Sequence, residues 1–428
     1  MMGVPERLRT TPSGLVLPFY AYAAASFLAS ALLAFFSLDA FGEHHHHPHL
    51  LAVTHSMALG WATMIIFGAS YQLVPVLIER ELYSVRMGYV SFAFLATGIP
   101  LLVGAFYAFD MGPLAKWGGR LVLLGFALYL INLSKSIALS GIRNIHVRFV
   151  HTAAIWLFVV GAFGLVLVYN FTFRMLPGDP WKYLPLHAHA GVLGWFLMLI
   201  LGIASRLIPM FLVSKYTNER LLVWIYYLVN SALAIYIVAF YVPALRLIAP
   251  LPWVLLLAAV ILFGAYCRGA FLMRLRKSVD APMKMSLLSV LMILLPLVAM
   301  LAYLVAYAGR GGEGGQLLTT YGYLIFFGWI TAIILGMTFK TLPFIVWNRE
   351  YRPGSFTGKP PNPKDLYSDG LFKAGALAYL AGFAAFASGI AIEHPWTMRV
   401  GAGLVVVAAV AYNANAWKVL LHRKRAPK

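Results

Sequence analysis

Three histidines and two tyrosines stand in a shared register that fits metal or cofactor binding. His187 and His189 open the run Leu186-His187-Ala188-His189-Ala190-Gly191-Val192-Leu193-Gly194-Trp195. His55 lies six residues before Trp61, as His189 lies six before Trp195; His187 lies eight before Trp195. In a third copy of this frame, Tyr323 and Tyr321 stand six and eight residues before Trp329. Imidazole ligates iron, copper and zinc through whichever ring nitrogen is left unprotonated. A histidine inside an apolar stretch is costly without a partner. One such histidine serves equally well as a hydrogen-bonding group between helices. Three at matching depth, in matching frame positions, point to ligation, and iron in a b-type haem is the group that two facing imidazoles hold.

The frame extends beyond these residues. Trp61, Trp195 and Trp329 are spaced 134 residues apart each time, each preceded by a glycine (Gly60, Gly194, Gly328). Gly68, Gly202 and Gly336 follow seven residues later, and Pro75, Pro209 and Pro343 fourteen residues later. A long period whose internal frame never slips is the signature of a repeat architecture. The glycines read as close helix packing, and the prolines as points where helices end or kink.

The elements that must carry these residues follow from composition. The 428-residue chain is 61% hydrophobic and 11% charged, and its single cysteine, Cys267, rules out an intramolecular disulfide or a cysteine-built metal cluster. Apolar runs of about 20 residues recur along it, which places it in a lipid bilayer. Twelve spans are predicted, at roughly 15–38, 50–78, 87–109, 119–137, 149–171, 186–213, 221–243, 251–273, 285–308, 318–347, 372–392 and 398–420. The expected fold is an all-α integral membrane protein, its twelve transmembrane helices forming three pseudo-threefold repeats of four, near 15–137, 149–273 and 285–420. Spans 2, 6 and 10 carry the marked frame. The apolar run from Leu15 is read as the first span and not as a removed signal peptide.

The net charge of +19 does not point to nucleic acid, because the basic residues sit in short segments between spans. Arg80, Arg86, Lys135, Arg143, Lys215, Arg220, Arg274, Arg276, Lys277, Arg349, Arg352, Lys359 and Arg425 follow even-numbered spans; Lys116, Arg174, Lys182, Arg246 and Arg310 lie on the other side. The positive-inside rule puts both termini and the loop 348–371 in the cytoplasm of a cell whose inner membrane holds the protein. Spans 2, 6 and 10 then start at the outer face, with their histidines in the outer third.

Residues two apart on a helix differ by about 200° in direction, so His187 and His189 face opposite ways. With one sense of rotation around a pseudo-threefold axis, His55 faces His187 and His189 faces Tyr321. With the other, His55 faces Tyr321, His187 faces Tyr323 and His189 faces Val53. A His55–His189 pair requires a helix rotated off ideal symmetry. Any facing pair with room for a flat macrocycle is a low-spin haem b site. His44, His45, His46, His47 and His49, just before span 2, form a candidate surface site for copper, zinc or nickel. His146 and His151, with Arg148, read as a membrane-interface cluster, and Arg206 and Lys340 as snorkelling cations.

The run from His187 to Trp195 resembles the His-x-His-Ser-Gly-Ala-Leu-Gly-Trp run of subunit I in cbb3-type cytochrome c oxidases. Twelve helices in three sets of four is the architecture of the haem–copper oxidase and nitric oxide reductase superfamily. The resemblance implies a respiratory-chain oxidoreductase with haem iron ligated by His55, His187 and His189. In that family the second histidine of the run pairs with one on helix 2, and the first holds a high-spin haem. The chain departs from the family in two ways. The family's run is on helix 10, where this chain has Tyr321 and Tyr323, and the seventh span has no histidine to help build the copper centre. The expectation is therefore a divergent member with one haem b, or two, and without that copper. It would exchange electrons with other membrane or periplasmic redox subunits, a c-type cytochrome or a cupredoxin on the outer side, and a second haem near Tyr321 or Tyr323 would bind nitric oxide or oxygen. A twelve-helix transporter, or a non-catalytic scaffold or cofactor-insertion subunit, is the alternative from other functional classes.

Overall fold

The computed structural model describes residues 11–307, 315–351 and 360–424. Most of the basic N-terminal stretch, Arg310, Arg352, Lys359, Arg425 and residues 352–359 of the loop expected at 348–371 lie outside the described residues. Among the described residues, twelve helices are long and apolar enough to cross a membrane: α1 Ser13–Phe36, α2 Pro48–Leu77, α3 Val85–Tyr107, α4 Pro113–Ser140, α5 Ile145–Phe173, α6 Pro180–Leu212, α7 Glu219–Tyr241, α8 Leu251–Leu272, α9 Ala281–Ala306, α10 Gly315–Glu350, α11 Asp369–Ala391 and α12 Pro395–Leu420. No strand occurs among the described residues. The protein is all-α and multi-pass.

Polar residues at the span borders set where these helices start. Asn144, Asn218, Asp280 and Ser368 each accept a hydrogen bond from a backbone N–H in the first turn of the helix that follows, capping donors that have no intrahelical partner. His47 does the same for α2, its Nδ1 accepting from the His49 N–H at 3.1 Å, with Pro48 as the first helical residue.

The marked helices are the inner ones. Over their most apolar windows, α2, α6 and α10 are 72%, 83% and 83% buried, against 28–50% for the other nine. Outer helices present the rest of their apolar surface to lipid, which is why all twelve are hydrophobic but only three are hydrophobic on every side and sequestered. Each inner helix contains a π-helical stretch at the same place in the frame: Ser56–Thr63, Ala190–Leu197 and Leu324–Ile330. Their starts at Ser56, Ala190 and Leu324 repeat the 134-residue spacing, and each follows directly on His55, His189 or Tyr323.

The three frame tryptophans are buried, and two of them tie these helices together. Trp195 on α6 donates its indole N–H to Thr63 on α2 at 3.1 Å, and Trp61 on α2 donates to Thr331 on α10 at 3.2 Å. The indole N–H of Trp329 on α10 is buried with no partner, and the frame position that carries Thr63 and Thr331 carries Leu197 on α6. Trp→Phe removes the same bulk at all three sites, so the difference between sites isolates the hydrogen bond. Trp329→Phe is expected to be tolerated better than Trp61→Phe or Trp195→Phe by about 1 kcal/mol, read as a smaller drop in thermal unfolding midpoint in detergent.

The frame glycines serve packing. A Cβ on Gly202 would stand 2.3 Å from the Cβ of Phe149 on α5, and one on Gly336 would stand 2.3 Å from the Ser286 hydroxyl on α9. Pro75 and Pro209 lie in the last turns of α2 and α6, but α10 continues past Pro343 to Glu350. Lys340 does not snorkel: its ammonium meets Asp280 at 2.7 Å, and the side chain is only 11% exposed. A buried cation needs such a partner. Cys267 is buried and free.

Candidate functional site

His55 and His187 face each other across the gap between α2 and α6, with ring centroids 6.3 Å apart and planes 16° from parallel. The Nδ1 of His55 is 2.8 Å from the Leu51 carbonyl one turn earlier. Donation of Nδ1–H to that carbonyl fixes the tautomer and leaves the Nε2 lone pair free, the arrangement that second-shell partners impose on metal-bound imidazoles. Phe106 on α3 braces the ring edge-to-face at 4.6 Å. The Nδ1 of His187 is buried and has no hydrogen-bond partner. A Cβ on Gly164 of α5 would come within 2.8 Å of the His187 ring, so only glycine there leaves the imidazole its place.

His189 faces the other way, as the two-residue spacing requires. Its Nδ1 is 2.7 Å from the Pro185 carbonyl and 2.9 Å from the Tyr236 hydroxyl on α7. An Nδ1–H shared between these two oxygens leaves Nε2 with its lone pair, and that atom is buried without a partner. Buried polar atoms are nearly always satisfied, so each exception calls for an explanation. Trp253 on α8 and Tyr321 on α10 complete the surround, with ring centroids 5.1 and 5.9 Å from that of His189.

A single cavity of about 340 Å³ reaches both faces of α6. One lobe, between α2, α4, α5 and α6, contains His55, His187, Phe126 and Gly164; the other, toward α9 and α10, contains His189, Met300, Tyr321 and Phe326. Its volume is in the range of small-molecule and cofactor sites, and its walls are apolar with few polar groups, as such sites are. No Lys, Arg, Asp or Glu lines it.

No protein-family model matches the chain, and no curated protein matches it.

The site residues expected from sequence therefore separate. His55 and His187 come together, and His189 meets Tyr321. No contact joins His55 to His189, the pair implied by the resemblance. Tyr323 is not at the cavity; it stacks on Phe327 and on Phe383 of α11, at 5.0 and 5.8 Å. In the cluster before α2, His47 and His49 are taken up by capping and packing, while His45 and His46 lie against each other at the cavity end. His45 and His46 lie 3.9 Å apart, His47 pairs with Glu43 at 3.6 Å while capping α2, and His49 stacks flat on Tyr107 at 4.1 Å. Among the described residues, no three His, Cys, Asp or Glu side chains converge to hold a metal ion. His46 is held down to about 4 by burial first, and then by His45 and His44 against the opposing pull of Asp179. It is neutral at pH 7. His146 and His151 bond to Ser205 and Ser134, each at 2.9 Å, away from the cavity.

Sequence reasoning missed Tyr236 and Trp253. Neither shares the repeat frame, and aromatic residues are frequent throughout α7 and α8.

The donor set suits a haem. Two metal–imidazole bonds of about 2.0–2.1 Å, plus slightly more than an ångström from each nitrogen to its ring centre, put two coaxial ligands just over 6 Å apart. The His55–His187 centroid separation of 6.3 Å matches that distance, and the apolar gap between α2 and α6 has the polarity that a porphyrin face needs.

Proposed function

We propose that the chain is a haem b-binding membrane redox protein related to subunit I of the haem–copper oxidases, in which His55 and His187 would hold the haem. The observation that carries this reading is the facing imidazole pair, two nearly parallel rings 6.3 Å apart at the edge of an apolar cavity. When bound, the group supplies one-electron exchange between ferric and ferrous iron. The chain's own residues hold and tune it. Leu51 sets the tautomer of His55, Phe106 and Gly164 fix the ring positions, and the apolar wall of α4 and α5 excludes water.

The repeated π-helical stretches and the Trp–Thr bonds support three sets of four helices around a common axis. The loop charges support an inner-membrane location with both termini in the cytoplasm, which sets the cavity in the outer half of the bilayer, within reach of a periplasmic donor such as a c-type cytochrome or a cupredoxin.

A second ligand site is favoured by His189, whose buried Nε2 faces a lobe with no other claim on it. A five-coordinate haem there would have Tyr321 beside it and would bind nitric oxide or oxygen. The seventh span carries no histidine, and Tyr236 there is engaged with His189 Nδ1, so the reading includes no copper.

The test is the visible spectrum of the purified protein. A sharp α band of b type after dithionite reduction is expected, and a carbon monoxide difference spectrum reports the second site. A colourless protein would favour the transporter or scaffold readings.

A further inference from the structure

We propose that His45 and His46 form the acid-recognition end of the cavity and receive the propionate carboxylates of the bound haem. This inference rests on the haem reading above and adds the residues that orient the group.

The cavity is apolar along its length and carries no Lys or Arg. A haem is apolar over most of its perimeter but has two carboxylates on one edge, and a carboxylate buried without a hydrogen-bond donor is strongly disfavoured. The macrocycle must therefore turn that edge toward whatever donors the cavity offers. Beyond its deep ligands, the donors at the end where α2 and α6 begin are the imidazoles of His45 and His46 and the indole of Trp181. These three form one group, with the His46 ring 3.9 Å from that of His45 and 5.2 Å from that of Trp181. His46 Nδ1 is buried and lacks a hydrogen-bond partner, so it awaits one. Depth agrees. His55 lies seven residues beyond Pro48, at the start of α2, and a helix rises about 1.5 Å per residue, so the ligand is about 10 Å in from the histidine loop. That is close to the distance from a porphyrin's centre to its propionate ends. Phe109 and Phe171 pack around Trp181 at 6.0 and 5.4 Å and hold the indole at this end of the cavity.

The test compares haem with its dimethyl ester, in which both carboxylates are blocked, by Soret titration of the haem-free full-length protein in detergent. The wild type is expected to bind haem at least roughly tenfold more tightly than the ester, since hydrogen bonds to a charged group are each worth about that factor. His45→Gln/His46→Gln is expected to close the gap while keeping the low-spin bands, and His46→Arg to keep the preference. Equal affinity of the wild type for haem and ester overturns the proposal and leaves the haem reading standing, as does a full preference retained by the double variant. If the double variant binds neither porphyrin, the single variants decide: each is expected to narrow the gap, and an unchanged gap in both overturns the proposal. No Soret band from the wild type with either porphyrin overturns the haem reading and this inference with it.

Discussion

Replacing His55 by alanine is expected to strip the low-spin b-type spectrum from the purified protein while leaving it folded in the membrane. In the proposed site His55 is the α2 residue that would hold the iron, with its free nitrogen preset by the Leu51 carbonyl. Removing even a partner behind a metal ligand costs about 10- to 100-fold in affinity, so losing the ligand itself is expected to weaken haem retention by roughly 100-fold or more. The fold does not depend on this ring: α2 is held by Trp61, Thr63 and the close packing at its glycines. The measurement is the ratio of the reduced α band to protein absorbance, with membrane-extracted yield as the folding control. His151→Ala, whose ring only bonds Ser134, is expected to leave the ratio unchanged. An intact spectrum in His55→Ala would mean that the iron ligand lies elsewhere.

The second large effect distinguishes the neighbours on α6. His187→Ala is expected to abolish the low-spin signal as completely as His55→Ala does, and His189→Ala to leave it intact. The expectation follows from direction alone. His187 faces His55 at 6.3 Å, while His189 is turned toward Tyr236, Trp253 and Tyr321. Electron paramagnetic resonance of the oxidised protein reads the two cases directly, as loss or persistence of low-spin ferric lines. The reverse outcome, with His189 essential and His187 dispensable, would restore the pairing implied by the oxidase resemblance and would require α6 to turn by about half a revolution. A carbon monoxide-reactive component lost only in His189→Ala would identify the second lobe as a ligand site in its own right.

Much of this arrangement could be read from the chain before any coordinates. Hydropathy alone located twelve spans because a bilayer leaves little choice of secondary structure: every backbone polar group must be satisfied within the helix. The Gly-Trp frame marked α2, α6 and α10 because inner helices need small residues for close approach and large ones to fill the centre. The 200° turn between His187 and His189 then put them on opposite faces, and one of the two ring orders gives the pairs observed. Other features left no such trace. Tyr236 and Trp253 reach His189 from helices outside the frame, and nothing in their spacing sets them apart from the other aromatic residues of α7 and α8. Lys340 near a membrane border reads as a snorkelling cation until Asp280, 60 residues earlier, is seen beside it. The row of histidines before α2 has the composition of a metal site. His49 is instead stacked on Tyr107 and His47 paired and used as a cap, and no composition rule distinguishes those uses.

The π-helical stretches have a consequence for how such a protein can be altered. Each inner helix is a shaft with a slip joint: the imidazoles or phenols sit above it, the Trp and Thr contacts at or below it. A π-helical turn accommodates an extra residue within an α-helix, so deleting one residue from within Ser56–Thr63 is expected to restore regular winding with little rotation of the flanks. Deleting one from the regular turns of α2 below it would instead swing everything beyond by about 100°. Each shaft can thus give up a residue at its joint while His55 above and the contacts below keep their bearings.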